Sequence, residues 1–178
     1  MDLSKIPPGR KPPHDVHAVI EIPAGGLPVK YEMDKASGAL FVDRFVHTAM
    51  FYPGNYGFIP QTLSEDGDPV DVLVISAVPV LPASVIRCRP VGALIMTDQA
   101  GPDEKIIAVP TDDLHPFYTG VHTYSDLPDI LLKQIAHFFQ HYKDLEPAKW
   151  TRIGDWIDTA GAEKLIVDGI ARAEEKKK

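Results

Sequence analysis

The sequence predicts an α+β fold that is mainly β, with strands first and helices last, and three observations carry that prediction. Seventeen prolines, spread over residues 7–147, cut most of the chain into pieces too short for long helices. Within those pieces, β-branched and apolar residues recur with turn signals between them. Only the C-terminal part carries sustained helical periodicity.

The elements follow in order. Candidate strands cover residues 16–22, 29–34, 40–46, 71–75, 85–89, 91–97 and 105–109. Chain reversals separate them at Pro23-Ala24-Gly25-Gly26, Ser37-Gly38, Pro53-Gly54-Asn55, Pro82 and Gly101-Pro102. This spacing suits a small barrel or a sandwich. A helix follows, because Leu127, Leu131, Ile135, Phe138, Tyr142 and Leu145 recur at intervals of three or four residues. Ser125 or Asp126 is positioned to cap it, Pro128 sits in its first turn, and Pro147 is expected to stop it. A second helix is expected from about residue 159 to 175, with Ala162, Leu165, Ile166, Gly169, Ile170 and Ala173 on one side. No internal repeat, low-complexity linker or domain boundary interrupts the pattern, so residues 1–178 read as a single domain.

Composition narrows the function classes. Hydrophobic residues make up 44% and charged residues 24%, ordinary values for a soluble globular chain large enough to bury a core. The formal net charge is -7, and the one basic run, Lys176-Lys177-Lys178, reads as a solvated helix end. A nucleic-acid binder would carry a basic face, so that class is disfavoured. Cys88 is the single cysteine, which excludes an internal disulfide; its apolar surroundings suggest a buried structural thiol. Residues 1–13 lack the apolar core of a signal peptide, and no run approaches the ~18 apolar residues of a membrane span. A cytoplasmic location is the expectation.

The densest chemical signal is Asp66-Gly67-Asp68-Pro69-Val70-Asp71-Val72. Three carboxylates this close repel one another unless a cation neutralises them or water solvates them freely. An oxygen-only ligand set suits Mg2+ or Mn2+ better than zinc. An ordinary polar turn fits the same residues. An EF-hand does not: loop positions 5, 6 and 12 would fall on Val70, Asp71 and Ala77.

A second acidic group, Asp98-Gln99-Ala100-Gly101-Pro102-Asp103-Glu104-Lys105, follows a predicted strand. Alone it reads first as a solvated hairpin turn. Together, two acidic turns at barrel-strand ends could meet and hold several metals. Lys30 and Glu32 share a strand face, Arg44 lies in a neighbouring strand, and the segment from Met50 to Phe58 offers phenols to an anion. Singly, Glu21, Lys30, Glu32 and Arg44 are ordinary strand charges. As a set, carboxylates for metals beside Lys, Arg and Tyr for an anion match the needs of phosphoryl transfer. No Gly-Lys-Ser/Thr phosphate loop is present.

Asp66 to Val72 fits the D-x-D-P-x-D-V signature, and the chain resembles the bacterial type of the family I soluble inorganic pyrophosphatases. The similarity continues through Val19-Ile20-Glu21-Ile22-Pro23, Lys30-Tyr31-Glu32, Gly38-Ala39-Leu40-Phe41-Val42-Asp43-Arg44, Phe51-Tyr52-Pro53-Gly54-Asn55-Tyr56-Gly57, Arg87-Cys88-Arg89-Pro90-Val91-Gly92 and His137-Phe138-Phe139-Gln140-His141-Tyr142-Lys143-Asp144-Leu145. The resemblance implies a closed five-stranded OB-like β-barrel with two C-terminal helices. It also implies hydrolysis of pyrophosphate to two orthophosphates using several Mg2+ ions, with Mn2+ as a substitute.

By the same resemblance, Asp66, Asp71 and Asp103 match ligands of a first metal, Asp71 bridges to a second, Asp98 and Asp103 hold a third, and Glu21 a further one. Asp68 matches the residue that takes the proton of the attacking water. Lys30, Arg44, Tyr56, Tyr142 and Lys143 match phosphate contacts, and Glu32, Tyr52 and Lys105 supporting positions. One departure is Gln99, where many bacterial members carry a second acid.

Two other readings stand beside this one: a metal-dependent hydrolase of short polyphosphate or nucleotide diphosphates, and a non-catalytic OB-type binding module. The bacterial family also implies a homohexamer, a dimer of trimers. His137 and His141, four residues apart on the first long helix and off its apolar stripe, are expected near a subunit contact.

Overall fold

The computed structural model describes residues 1–176, so Lys177 and Lys178 of the expected helix end lie outside the described residues. Its elements are β1 (Gly9–Lys11), β2 (Asp15–Ile22), β3 (Val29–Met33), β4 (Leu40–Phe45), β5 (Asn55–Phe58), β6 (Asp71–Val74), β7 (Val85–Asp98), β8 (Gly101–Pro102), β9 (Lys105–Pro110), α1 (Asp129–His141), β10 (Thr151–Ile157) and α2 (Thr159–Lys176). Strands β2, β5, β6, β9 and β7 pair in that order, and β7 returns to pair with β2. The ring is closed, as the OB-like expectation requires. Every pairing in it is antiparallel except β6 with β9. Strands β3 and β4 form a separate two-stranded hairpin.

Several expected elements change. The two strands expected at 85–89 and 91–97 are one strand, β7, which runs straight through Pro90. Pro90 sits at a register irregularity with β9, where a missing N–H costs no ladder bond. Gly92 follows at φ +156, and a Cβ there would lie 2.8 Å from the Tyr124 ring. The chain bends at Pro53 and Gly54 as expected, and β5 follows from Asn55; β5, β1 and β10 are additional strands. Gly57 lies within β5. A Cβ on it would stand 1.9 Å from the Val19 carbonyl oxygen, so glycine permits close approach of β2 rather than a reversal.

The caps of α1 also differ. Asp126 accepts from the N–H groups of His122 and Thr123 and caps the short 3₁₀ turn Tyr124–Asp126, while α1 starts later, with Pro128 at its N-cap. The helix ends at His141, ahead of Pro147, and Leu145 falls off its apolar stripe, 68% exposed.

Two large cores result, one on each face of the ring strands, with a small third cluster of Val19, Met33 and Phe58. Leu73 and Ile107 pack with Ile135, Phe138 and Phe139 of α1. Val72, Val74, Ile106 and Ala108 pack with Ala162 and Ile166 of α2. Strands apolar on both faces read as continuous runs, which is why 71–75 and 105–109 are legible without alternation. Burying each such Leu or Ile contributes about 1.5–3 kcal/mol. Cys88 lies fully buried in the second core, and burial pushes its thiol up, which leaves it chemically quiet.

Candidate active site

The parallel pairing of β6 and β9 builds the site. It sets Asp71 opposite Lys105, so the acidic turns that precede these two strands open at the same end of the ring. Lys105 is 2% exposed, and its ammonium donates to both Asp71 and Asp103. Tyr56 Oη donates to Asp71 Oδ2 at 2.7 Å, and Lys105 Nζ lies 3.4 Å from that phenol. Burial works against the charge on Lys105, but Asp71 and Asp103 outweigh it and hold its pKa above the usual lysine value.

The carboxylates feel one another. Burial raises the pKa of Asp103, and the charge of Asp71 adds to that, while Lys105 opposes it. Burial also raises Asp66, with repulsion from Asp103, Asp71 and Asp68. Glu21, on β2, is pushed by burial to about 7; the Met33 N–H, donating to it at 2.6 Å, opposes the rise and Asp71 adds to it. Asp98 behaves differently. Burial raises it, yet Lys143, 2.6 Å away, and the Ala100 N–H bring it below the ordinary carboxylate value.

Cations share the cleft with these acids. Lys30 and Arg44 are cross-strand partners on the β3–β4 hairpin. Tyr142 closes α1 as its C-cap, and Lys143 follows it; both are buried at the cleft. The cleft measures about 220 Å³. It brings together Glu21, Lys30, Glu32, Arg44, Tyr56, Asp66, Asp68, Asp71, Asp98, Asp103, Lys105, Tyr142 and Lys143. Tyr52 does not reach the wall. It is buried behind it, its ring 5.3 Å from Tyr56 and 4.6 Å from Phe138, where it braces the Tyr56 phenol.

Other residues enter that sequence reasoning missed. Lys35 lines the cleft and pairs with Asp68 at 3.0 Å. Asp43 joins Lys30 at 3.1 Å and Arg44 at 2.7 Å. Glu146 pairs with Arg44, and Lys149 lines the cleft beside it. Their only sequence signal was charge near a motif. Gln99, on the cleft wall, donates to Asp98 Oδ2 at 3.3 Å, an amide where an acid would repel. His137 and His141 lie outside the cleft.

Among the described residues, no three carboxylates are already drawn together as a metal cage; the Lys105 ammonium separates Asp71 from Asp103. The donor chemistry nevertheless fits a hard divalent cation. It is all oxygen, and it includes three groups, Glu21, Asp66 and Asp103, whose raised pKa values record negative charge held in partial burial without enough compensation.

Oxygen donors interleaved with cations in one cleft, on a closed five-stranded ring, define a hydrolase that cleaves a phosphoanhydride bond in a small polyanion. The family model described as inorganic pyrophosphatase matches residues 18–174. An inorganic pyrophosphatase of Caulobacter vibrioides is 63% identical over 175 residues, covering 98% of this chain and 99% of the relative. A structure titled inorganic phosphatase from Anaplasma phagocytophilum superposes with a TM-score of 0.94 at 49% identity, covering 96% of this chain and 99% of that one. The inorganic pyrophosphatase of Thermus thermophilus gives a TM-score of 0.91 at 43% identity, covering 98% and 99%. The chain belongs to the inorganic pyrophosphatase family, and its activity is the hydrolysis of pyrophosphate to two orthophosphates. No helix among the described residues is long and apolar enough to cross a membrane.

Proposed function

We propose that this chain hydrolyses pyrophosphate in the cleft between β6, β9 and the β3–β4 hairpin, with several Mg2+ ions as cofactors and Mn2+ as a substitute. The observation that carries the reading is the convergence of both acidic turns with Lys30, Arg44 and Lys143 on one small cavity. Glu21, Asp66, Asp71, Asp98 and Asp103 would hold the metal. When bound, Mg2+ supplies positive charge that acidifies the attacking water and neutralises phosphate oxygens. Membership of a metal-dependent family and the all-oxygen donor set support that assignment.

The chain's own groups divide the remaining work. Asp68 projects from the turn, 68% exposed at its side chain, and only the exposed Lys35 holds one of its oxygens, at 3.0 Å, so the carboxylate can take the proton of the attacking water. Lys30, Arg44 and Lys143 bind and orient the substrate phosphates, and Tyr142 offers a phenolic hydrogen bond. Tyr56, whose proton goes to Asp71 in the metal-free cleft, would turn to the phosphate once a cation takes its place on Asp71. Burial raises both phenols above the usual tyrosine value, so they remain protonated donors. Glu32, 3.5 Å from Lys30, together with Lys105 and Tyr52, supports these positions. Pyrophosphate has no apolar handle, so binding must come from charge, and electrostatic stabilisation is the main catalytic contribution.

The test is phosphate release. Purified protein given pyrophosphate and Mg2+ is expected to release orthophosphate, to stop when EDTA is added, and to recover with Mn2+. Absence of release in excess Mg2+ overturns the reading. Pyrophosphate is expected to outrun tripolyphosphate and ADP, because the cleft is small and polar; a faster rate on either would favour the wider phosphoanhydride hydrolase.

We further propose a cytoplasmic homohexamer, a dimer of trimers, with His137 and His141 near a subunit contact. Supporting this, the two rings lie 4.7 Å apart beside an apolar cavity of about 570 Å³ lined by Met50, Phe51, Ile130 and Phe138, with Phe51 and Ile130 exposed.

A further inference from the structure

We infer that Glu146 is a positioning residue for the reaction: its buried carboxylate aims the Arg44 guanidinium at the substrate phosphates. The inference rests on the proposed role of Arg44 as a phosphate contact.

The hairpin that carries Arg44 is not part of the main sheet. Its two strands bond to each other, so the direction of a long side chain on β4 is set by whatever it touches beyond the hairpin. Glu146 is that contact. It lies in the loop after α1, where its N–H donates to the Lys143 carbonyl at 2.9 Å. Its side chain is 5% exposed, against 23% for Arg44. The Arg44 Nε stands 2.9 Å from Glu146 Oε2 and 3.2 Å from Oε1. On its other side Arg44 is held by its neighbour Asp43, whose Oδ2 accepts from Nη1 at 2.7 Å. The guanidinium is thus gripped through Nε and Nη1. Nη2 has no protein partner among the described residues' hydrogen bonds and remains for an anion in the cleft that Arg44 lines.

Glu146 also holds Lys149, whose ammonium lies 2.9 Å from the same Oε2. Burial raises the pKa of Glu146, but Lys149 and Arg44 outweigh it, so the carboxylate is ionised throughout the neutral range. A buried carboxylate with two cationic partners fixes both more firmly than an exposed pair could. Because Lys143 is three residues before Glu146, the same turn orients cations on two separate elements toward one substrate.

A carboxylate that merely held the loop together would affect stability whatever stood at position 44. A positioning residue affects substrate binding only while Arg44 is there to be positioned. The experiment is therefore a double-mutant cycle read in KM for pyrophosphate at saturating Mg2+, using Arg44→Lys, Glu146→Gln and the pair. Arg44→Lys is expected to raise KM, because a lysine cannot reproduce the two-point grip. Glu146→Gln is expected to raise KM about tenfold with kcat changed less than about threefold, the pattern of lost ground-state binding. In the Arg44→Lys background the same change is expected to alter KM less than about twofold. An equal effect in both backgrounds, or no effect of Glu146→Gln on KM, overturns the inference while leaving the role of Arg44 intact. An Arg44→Lys protein with unchanged KM overturns that role and the inference with it. Thermal midpoints are measured alongside. If Glu146→Gln does not fold, Glu146→Asp, which keeps the charge but shortens its reach, takes its place in the same cycle with the same expected coupling.

Discussion

Glu21→Gln separates the cost of the cleft's charge from its use. The substitution keeps an acceptor for the Met33 N–H and removes only the ionisation. In the folded protein Glu21 is pushed from 4.5 to about 7, first by burial and then by Asp71, against the Met33 hydrogen bond. A carboxyl whose pKa is raised on folding contributes stability fully below its unfolded value. That contribution is lost as pH rises through the folded value. At about 1.36 kcal/mol per pH unit, the rise bounds the loss at about 3 kcal/mol, complete somewhat above pH 7. Metal-free Glu21→Gln is therefore expected to exceed the parent protein in stability by about 1–3 kcal/mol at pH 8.5, with the gap closing near pH 4.5. Urea unfolding followed by circular dichroism in EDTA, at equal protein concentration and several pH values, measures it. With saturating Mg2+ the order should reverse, because the parent then has a cation to hold. A variant less stable than the parent at pH 8.5 in EDTA, or a gap that does not change with pH, would refute the reasoning.

Three further outcomes are expected. Asp68→Asn should lose mainly turnover, whereas Asp71→Asn should lose Mg2+ affinity as well, since Asp68 handles a proton and Asp71 faces the metals; calorimetric Mg2+ titration beside steady-state rates checks this, and equal losses of binding contradict it. Lys105→Met should destabilise the metal-free protein by roughly 3–5 kcal/mol, because Asp71 and Asp103 lose the buried ammonium between them, and added Mg2+ should restore part of that. Assembly should weaken as pH falls through about 6.5, the ordinary histidine range, as charge gathers on His137 and His141. Ultracentrifugation at neutral and mildly acidic pH tests this, and a neutral-pH monomer, or a hexamer indifferent to replacing both histidines, removes the role given to the pair.

What was legible in the sequence follows from where each signal resides. The runs at 71–75 and 105–109 are apolar on both faces because both faces are buried, so composition alone marks them as strands. The candidate site residues were read through their motifs, and the cleft gathers all of them but Tyr52 because those motifs border strand ends. Strand β5 was hidden because Asn55 and Gly57 are residues that weaken a local strand signal, directly after the bend at Pro53 and Gly54. Their reasons are long-range: Asn55 accepts from the N–H groups of Ala24 and Val80, and Gly57 admits β2. Pro90 divided one strand into two for the same cause, since only the pairing with β9 reveals the irregularity that accommodates it. Asp43, Glu146 and Lys35 act through partners on other elements, and no spacing along the chain encodes such a pair.

The parallel pairing of β6 with β9 also acts as an error check on the fold. Strand faces alternate, so sliding β9 by one residue against β6 would rotate Lys105 away from Asp71 and into the apolar layer of Val72, Val74 and Ile166. The same slip would present Ile106 to the Asp71 carboxylate. A misaligned ring therefore strands an ammonium in hydrocarbon and leaves Asp71 without its counter-charge. A purely apolar pair of strands would tolerate several alignments of nearly equal energy. Here the catalytic charges discriminate among them, so the residues that make the cleft reactive also make the strand alignment unique.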